Sequence, residues 1–273
     1  MHSQEEVKQL QEKAKVIRRD IIKMLTLAGS GHPGGSLSSA DIMACLYFSK
    51  LRHNPKEPKW PDRDRFILSK GHCAPVLYAC LAETGYFPVE ELKTLRKINS
   101  RLQGHPDMGK TPGVEMSTGS LGQGLAVGNG MALAARLDKK NYRVYVLLGD
   151  GEVAEGSVWE AAMSAPHYCI DNICAILDNN GLQIDGCCTD VMNSNPLPEK
   201  WKAFGWNVIN INGHNIAEIL DALDKAETAK GQPTIIIAKT IKGKGVSFME
   251  NVVDYHGKAP TAEEGEKALK ELA

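Results

Sequence analysis

The first regular feature of the chain is a helical pattern of apolar residues near the N-terminus. Between Val7 and Ala28, apolar side chains recur at steps of three and four residues, which predicts an amphipathic helix. Gly29 follows and is typical of a helix end. Further helices are predicted at residues 39–51, 74–83, 89–98, 122–137 and 216–228. Asn215 is predicted to cap the last of them.

Short apolar runs between these helices predict strands. They cover residues 65–68, 143–148, 173–177, 207–211 and 234–238. Strands that alternate with helices indicate a parallel sheet covered on both faces. We therefore expect one α/β domain over residues 1–273, with three layers and a mostly parallel, doubly wound sheet. Residues 31–35 and 99–119 are predicted to be loops, and the polar tail after His256 is predicted to be mobile.

The composition argues against several classes of protein. Of the 273 residues, 42% are hydrophobic and 24% are charged, and the formal net charge is -1. No basic block favours nucleic acid, and no apolar stretch reaches the roughly 18–20 residues that cross a bilayer. The seven cysteines are an odd number without a Cys-x-x-Cys spacing, which argues against zinc and indicates a reducing compartment. We expect a soluble, cytoplasmic protein that binds neither nucleic acid nor a membrane.

Polar residues follow two of the predicted strands. Gly149, Asp150 and Gly151 end the run at 143–148, and Asn179 and Asn180 come just after the run at 173–177. Neighbouring parallel strands bring such endings to the carboxyl edge of the sheet, where open α/β folds bind ligands. A carboxylate and an amide oxygen are suitable ligands for Mg2+, which usually shares its coordination with phosphate. The sequence therefore predicts a magnesium–diphosphate site.

A glycine-rich segment opens the helix predicted at 122–137. It reads Gly119-Ser120-Leu121-Gly122-Gln123-Gly124. Its glycines would let backbone N–H groups approach phosphate oxygens at a helix N-terminus. The segment matches neither the dinucleotide-binding fingerprint nor the Walker A motif. Close packing of the helix against the sheet is the alternative explanation.

Four histidines lie in loops that also contain glycine: His32, His72, His105 and His256. One loop histidine is usually a solvated surface residue, but four in this setting indicate convergence on a polar substrate. Histidine exchanges protons near neutral pH and hydrogen bonds to hydroxyl groups. His2, His53, His167 and His214 lack this setting, and the sequence assigns them no role.

Taken together, these segments resemble the N-terminal, thiamine-diphosphate-binding part of transketolase. The resemblance covers nearly the whole chain and rests on six motifs in order. They are Ser30-Gly31-His32-Pro33-Gly34, Lys70-Gly71-His72, Gly104-His105-Pro106, the 119–124 segment, Gly149-Asp150-Gly151 and Asp178-Asn179-Asn180.

The resemblance implies a role for each matching residue. The side chains of Asp150 and Asn180 and the carbonyl group of Leu182 would bind Mg2+, or another divalent cation such as Ca2+ or Mn2+. The remaining residues that would bind or adjoin thiamine diphosphate are His72, Gly119, Ser120, Leu121, Gly149, Gly151, Glu155, Glu160 and His256. Glu155 and Glu160 would join a carboxylate network between active sites, or else lie on a solvated helix face. The catalytic histidines would be His32, His72, His105 and His256.

The length of the chain is a departure from the family. Transketolases usually have more than twice as many residues, and their pyrimidine-binding domain carries the glutamate that activates the cofactor. The resemblance thus implies the diphosphate-binding subunit of a split transketolase, inactive alone and completed by a C-terminal subunit in a heterotetramer. It would transfer a two-carbon ketol unit from a ketose phosphate to an aldose or aldose phosphate. The sugar and the pathway, pentose phosphate or a dedicated route, stay open.

Other functions remain possible at this point. One is a role within a different thiamine-diphosphate enzyme, similar to deoxyxylulose-phosphate synthase or to a 2-oxo-acid dehydrogenase. Another is a non-catalytic module that binds Mg–thiamine diphosphate, and a third is a Mg-dependent hydrolase. Lys242 or Lys244 could contact phosphate, although a solvated loop is the simpler interpretation. Cys187 and Cys188 receive no definite role.

Overall fold

The fold is described by a computed structural model that covers residues 2–273. The strands are β1 (Arg65–Leu68), β2 (Val144–Gly149), β3 (Ile173–Asn179), β4 (Leu182–Gln183), β5 (Gly186–Cys187), β6 (Asn207–Asn212) and β7 (Thr234–Lys239). Five of them form a fully parallel sheet in the order β1-β2-β3-β7-β6. β4 and β5 form a separate antiparallel hairpin. All five predicted strands are therefore confirmed, whereas the hairpin was not predicted.

Ten α-helices accompany the strands in residues 2–273. They are α1 (Gln4–Ala28), α2 (Pro33–Ser38), α3 (Ala40–Cys45), α4 (Ala74–Glu83), α5 (Gln123–Leu137), α6 (Gly156–His167), α7 (Cys188–Val191), α8 (Leu197–Ala203), α9 (Ile216–Thr228) and α10 (Ala262–Glu271). In this part of the chain, none of them combines the length and the apolar composition that a membrane crossing requires.

Helices cover both faces of the sheet and create two hydrophobic cores. Helices α1 to α4, α9 and α10 contribute to one core, and α5, α6 and α8 contribute to the other. Alternate residues of β3 enter opposite cores: Cys174 and Ile176 face the first, whereas Ile173, Ala175 and Leu177 face the second. This period of two is what a strand buried on both faces requires. The three-layer α/β prediction is confirmed.

Local sequence explains the ends of the long helices. Ser3 caps α1 and accepts a hydrogen bond from the Glu6 N–H at 3.1 Å. Gly29 ends the helix in the left-handed conformation, with φ of 64°, which glycine adopts without steric cost. Asn215 caps α9 by accepting from the Ala217 N–H at 3.1 Å, as predicted.

Three local predictions were wrong. Residues 33–35 belong to α2 rather than to a loop, because Pro33 begins that helix with its φ already set. Residues 89–98 contain only a 3-10 segment, Val89–Thr94, and the helix cannot continue to Ile98 because Arg96 takes a positive φ of 59°. The tail after His256 contains α10, which is capped by Thr261 and packs on α1.

Candidate functional site

The carboxyl ends of β1, β2 and β3 meet at one edge of the sheet. Gly149 in β2 lies opposite Asp178 in β3, so Asp150 and Asn180 follow neighbouring strand ends. His72 follows the end of β1. Open parallel sheets bind ligands at this edge. Here the edge borders a cavity of about 370 Å³.

Most of the predicted site residues line this cavity. They are His32, His72, His105, Gly119, Leu121, Gly149, Asp150, Gly151, Glu155, Asn180, Leu182 and His256. Ser120 and Glu160 do not line it and are exposed on the surface. Glu155 is also exposed, and lies at the N-terminus of α6.

The three predicted metal ligands lie together and are held by main-chain contacts. Asp150 is only 6% exposed and accepts hydrogen bonds from the N–H groups of Gly151 and Gly181. Burial, with the nearby charge of Asp178, raises the pKa of Asp150 to about 6. The Asn180 amide oxygen accepts from the Leu182 N–H at 3.1 Å. A carboxylate, an amide and a carbonyl group provide the hard oxygen ligands that Mg2+ and Ca2+ prefer.

Three histidine rings that line the same cavity form a triangle. The ring centroids of His32 and His72 are 5.1 Å apart, as are those of His72 and His256, and those of His32 and His256 are 5.7 Å apart. Burial lowers the pKa values of His32 and His72 to about 4 and that of His256 to about 3, and neighbouring positive groups add to the effect. All three rings are therefore neutral at pH 7.

The fourth histidine packs against the glycine-rich segment. Gly119 has φ of 150°, and a Cβ atom there would lie 3.2 Å from the His105 ring. Burial lowers the pKa of His105, with His72 and Arg96 contributing. His105 thus closes the part of the cavity that Gly119 borders.

Two further observations agree with a bound cofactor. The Nδ1 atoms of His32 and His256 are buried and have no hydrogen-bond partner within residues 2–273, which is uncommon for buried polar atoms. Gly151 brings its backbone close to the hairpin, since a Cβ atom there would lie 3.0 Å from Gln183. The oxygen ligands and the partnerless nitrogens fit a metal-bound diphosphate and a polar substrate beside it.

Comparison with known proteins identifies the family. Residues 9–272 match the family described as "Transketolase, thiamine diphosphate binding domain". The chain belongs to the transketolase family. It is 46% identical to the 6-deoxy-6-sulfo-D-fructose transketolase subunit SqwG of Clostridium sp. (strain MSTE9), with 96% of each chain covered. It is 42% identical to an apulose-4-phosphate transketolase subunit of Phocaeicola vulgatus, covering 98% of this chain and 95% of that one.

Full-length transketolases match over part of their length only. Human transketolase is 44% identical over 98% of this chain, which spans 43% of the human protein. The crystal structure of Campylobacter jejuni transketolase superimposes with a TM-score of 0.92 at 37% identity, over 97% of this chain and 43% of that one. These matches confirm the family and the fold, and they do not favour the other thiamine-diphosphate enzymes or a hydrolase.

Sequence reasoning gave no role to a buried ion pair in this transketolase-family domain. Lys70 Nζ lies 2.5 Å from Asp178 Oδ2, and the two side chains are 2% and 0% exposed. Lys70 also donates to the Gly35 carbonyl and to Ser39 Oγ. Burial would raise the pKa of Asp178, but Lys70 outweighs it and lowers that pKa to about 2. Lys70 lines the cavity, and the pair connects the segment after β1 to β3 and α2.

Glu152 is a second residue without a predicted role. It is 3% exposed, and its carboxylate accepts from the N–H groups of Gly122 and Gly149 at 2.9 and 3.0 Å. It also accepts from the Ser69 hydroxyl group. Glu152 therefore ties the glycine-rich segment to the ends of β1 and β2. Its only signal in the sequence is its place directly after Gly149-Asp150-Gly151.

The two candidate lysines have different environments. Lys242 is 2% exposed and lines the cavity, and its Nζ donates to the Leu182 carbonyl group at 2.9 Å. Burial lowers the pKa of Lys242. The solvated-loop interpretation is wrong for this residue. Lys244 is half-buried and pairs with Glu250 at 3.2 Å.

The depressed histidine pKa values predict how stability depends on pH. In the unfolded chain these rings titrate near 6.5, so between pH 6.5 and 4 the unfolded state binds more protons and the folded state loses stability on acidification. We expect His72→Asn to lose less free energy of unfolding than the wild type between pH 7.5 and pH 5, as urea titrations would measure. The exposed His167 is the control, and His167→Asn should follow the wild type. If the wild type and His72→Asn lost the same free energy of unfolding between pH 7.5 and pH 5, the prediction would be contradicted.

Proposed function

We propose that this chain is the diphosphate-binding subunit of a split, thiamine-diphosphate-dependent transketolase. The observation that carries the proposal is that Asp150, Asn180 and Leu182 line the same cavity as the histidine triangle. The reaction would transfer a two-carbon ketol unit from a ketose phosphate to an aldose or aldose phosphate, in the pentose phosphate pathway or in a dedicated sugar route.

The proposed cofactor site has a metal end and a diphosphate end. Asp150, Asn180 and the Leu182 carbonyl group would hold Mg2+, or Ca2+ or Mn2+, against the diphosphate. The N–H groups of the 119–121 segment and of Gly151 would face its oxygens, at the edge where α5 begins. Lys242 would add positive charge beside Leu182. Thiamine diphosphate, when bound, supplies the chemistry for breaking and making a carbon–carbon bond beside a carbonyl group.

The histidines are proposed to act on the substrate. His32, His72, His105 and His256 are neutral or largely so at pH 7, because burial lowers their pKa values. A neutral imidazole offers one donor and one acceptor nitrogen. These rings can therefore orient sugar hydroxyl groups and carry protons to and from the substrate carbonyl oxygen during transfer.

The partner is proposed from the lengths and names of the relatives. The chain covers 96% and 95% of two relatives that are named as transketolase subunits, yet only 43% of full-length transketolases. We propose that residues 1–273 form the diphosphate-binding domain and that a C-terminal subunit supplies the pyrimidine-binding domain, in a heterotetramer. The exposed Glu155, at the N-terminus of α6, and Glu160, on α6, would face that assembly. The free cysteines agree with a cytoplasmic location.

Reconstitution tests the proposal. We expect the pure chain to show no ketol transfer, and a tagged chain purified from its host to bring a companion of roughly 300 residues, the size of one or two domains. The mixture should transfer ketol units from sugar phosphates but should not use pyruvate as a donor. Activity of the pure chain would contradict the split. A chain that returns alone and binds thiamine diphosphate without transfer would favour the non-catalytic module.

A further inference from the structure

His214 lies outside the cavity, on the loop between β6 and α9, yet both of its ring nitrogens are hydrogen bonded. The Ile241 N–H donates to Nε2 at 2.8 Å, and Nδ1 lies 2.8 Å from Asp41 Oδ2. Because Nε2 accepts, Nδ1 must carry the proton and donate it to Asp41. The two contacts therefore fix both the tautomer and the plane of the ring.

The Asp41 end of this arrangement is anchored in the interior. Arg18 on α1 donates from both terminal nitrogens to the Asp41 carboxylate, at 3.1 and 2.5 Å. Asp41 and Arg18 are 6% and 7% exposed. Burial favours a raised pKa for Asp41, but the hydrogen bond from His214 and the charge of Arg18 outweigh it and hold the pKa below its usual range. His214 is thus attached to a rigid support formed by α1 and α3.

The other end of the arrangement is the turn at residues 241–245, which carries Lys242. The Gly243 N–H donates to the Gly34 carbonyl at 3.0 Å, and the Asn251 N–H donates to the Lys242 carbonyl at 2.9 Å. Lys242 Nζ then reaches the Leu182 carbonyl group. The bond from Ile241 to His214 lies directly before Lys242 in the chain and, through Asp41, connects this turn to α3 and α1.

We propose that His214 is a positioning residue for the cofactor site. Through the main chain of Ile241 it fixes the turn that directs Lys242 towards Leu182, although no atom of His214 lines the cavity. Partners that orient a binding residue from outside the site typically change affinity or activity 10–100-fold when they are removed. The inference rests on the proposed function, because it takes Lys242 and Leu182 as part of the thiamine diphosphate site.

Three variants test this role in the enzyme assembled with its companion. The dissociation constant for thiamine diphosphate is measured by calorimetry in excess Mg2+. For His214→Ala we expect it to rise about 10–100-fold, while the KM for the acceptor aldose stays within twofold of the wild type. His214→Gln should recover most of the affinity, since its amide oxygen can accept from Ile241. Leu220→Ala, in the core of α9, should lower Tm at least as much as His214→Ala without changing the dissociation constant.

A second measurement does not depend on the cofactor. Hydrogen exchange on the chain alone should be accelerated at the Ile241 amide at least about tenfold more in His214→Ala than in Leu220→Ala. The role of His214 would be overturned if His214→Ala left exchange at the Ile241 amide unchanged and kept the dissociation constant for thiamine diphosphate within twofold of the wild type. The role would also be overturned if Leu220→Ala weakened cofactor binding as much as His214→Ala, because the effect would then follow from lost stability in general. A wild-type enzyme that fails to bind thiamine diphosphate would instead contradict the proposed function itself.

Discussion

Replacing Lys70 with methionine is expected to lower the free energy of unfolding by about 3–5 kcal/mol, as is usual when one partner of a buried ion pair is removed. The Asp178 carboxylate, 0% exposed, would keep its contacts with Ser38 and Thr240 but would lose its only salt-bridge partner within the described residues. Urea unfolding at pH 7.5 measures the change.

A surface ion pair provides the matched control for Lys70→Met. Lys140 and Asp62 lie 2.7 Å apart with side chains 37% and 42% exposed, so Lys140→Met should cost less than about 1 kcal/mol. The double variant Lys70→Met with Asp178→Leu should recover part of the lost stability, since the unpaired charge is removed as well. A loss below about 1 kcal/mol for Lys70→Met alone would show that the buried pair does not stabilise the fold.

The Asp150→Asn variant is expected to weaken Mg2+-dependent binding of thiamine diphosphate at least about 100-fold. Even the loss of a residue that only orients a metal ligand typically lowers metal affinity or activity 10–100-fold. Its effect on the stability of the cofactor-free chain should be small. Burial raises the pKa of Asp150 to about 6 from 3.8, so above pH 6 the charged carboxylate destabilises the folded state relative to the unfolded one. In Asp150→Asn the stability gained by removing that charge offsets the weaker hydrogen bonds from the Gly151 and Gly181 N–H groups. The free energy of unfolding should therefore change by no more than about 1 kcal/mol.

The two measurements on Asp150→Asn are calorimetric titration with cofactor and urea unfolding without it, both at pH 7.5. Asp190→Asn is the control, because Asp190 is exposed on α7 and does not line the cavity. It should match the wild type in both measurements. If Asp150→Asn bound the cofactor about as tightly as the wild type, the Asp150 carboxylate would be excluded as a metal ligand. The proposed metal site would then be excluded too.

The central strands β2, β3 and β7 were predictable because they are buried on both faces and therefore read as continuous apolar runs. α4 and α9 were predicted with the bounds that the structure shows, since burial agreed with the pattern in both and Asn215 caps α9. The errors fell where an interaction distant in sequence decides the structure. α10 has a polar surface and looked mobile, but the close approach of Gly265 to Thr26 places it firmly on α1.

The site was predictable only at positions that belong to short motifs at strand ends. The sequence placed Asp150, Asn180 and the four glycine-flanked histidines at what is one cavity in the structure. It could not identify the roles of Glu152, Asp178 or His214, because each depends on partners that the fold brings from distant segments. Asp178 and Lys70, for example, are 108 positions apart. Charged side chains usually lie on the surface, so nothing local marks these as buried.

The contacts of Asp178 have a thermodynamic consequence for the whole domain. This carboxylate joins the end of β3 to α2 through Ser38, to β1 through Lys70 and to the segment after β7 through Thr240. The floor of the cavity therefore cannot open as an isolated unit of unfolding, and its slowest-exchanging amides should report the global unfolding equilibrium. A cofactor bound above that floor would then raise the stability of the entire chain by RT ln(1 + [L]/Kd) rather than that of a local loop.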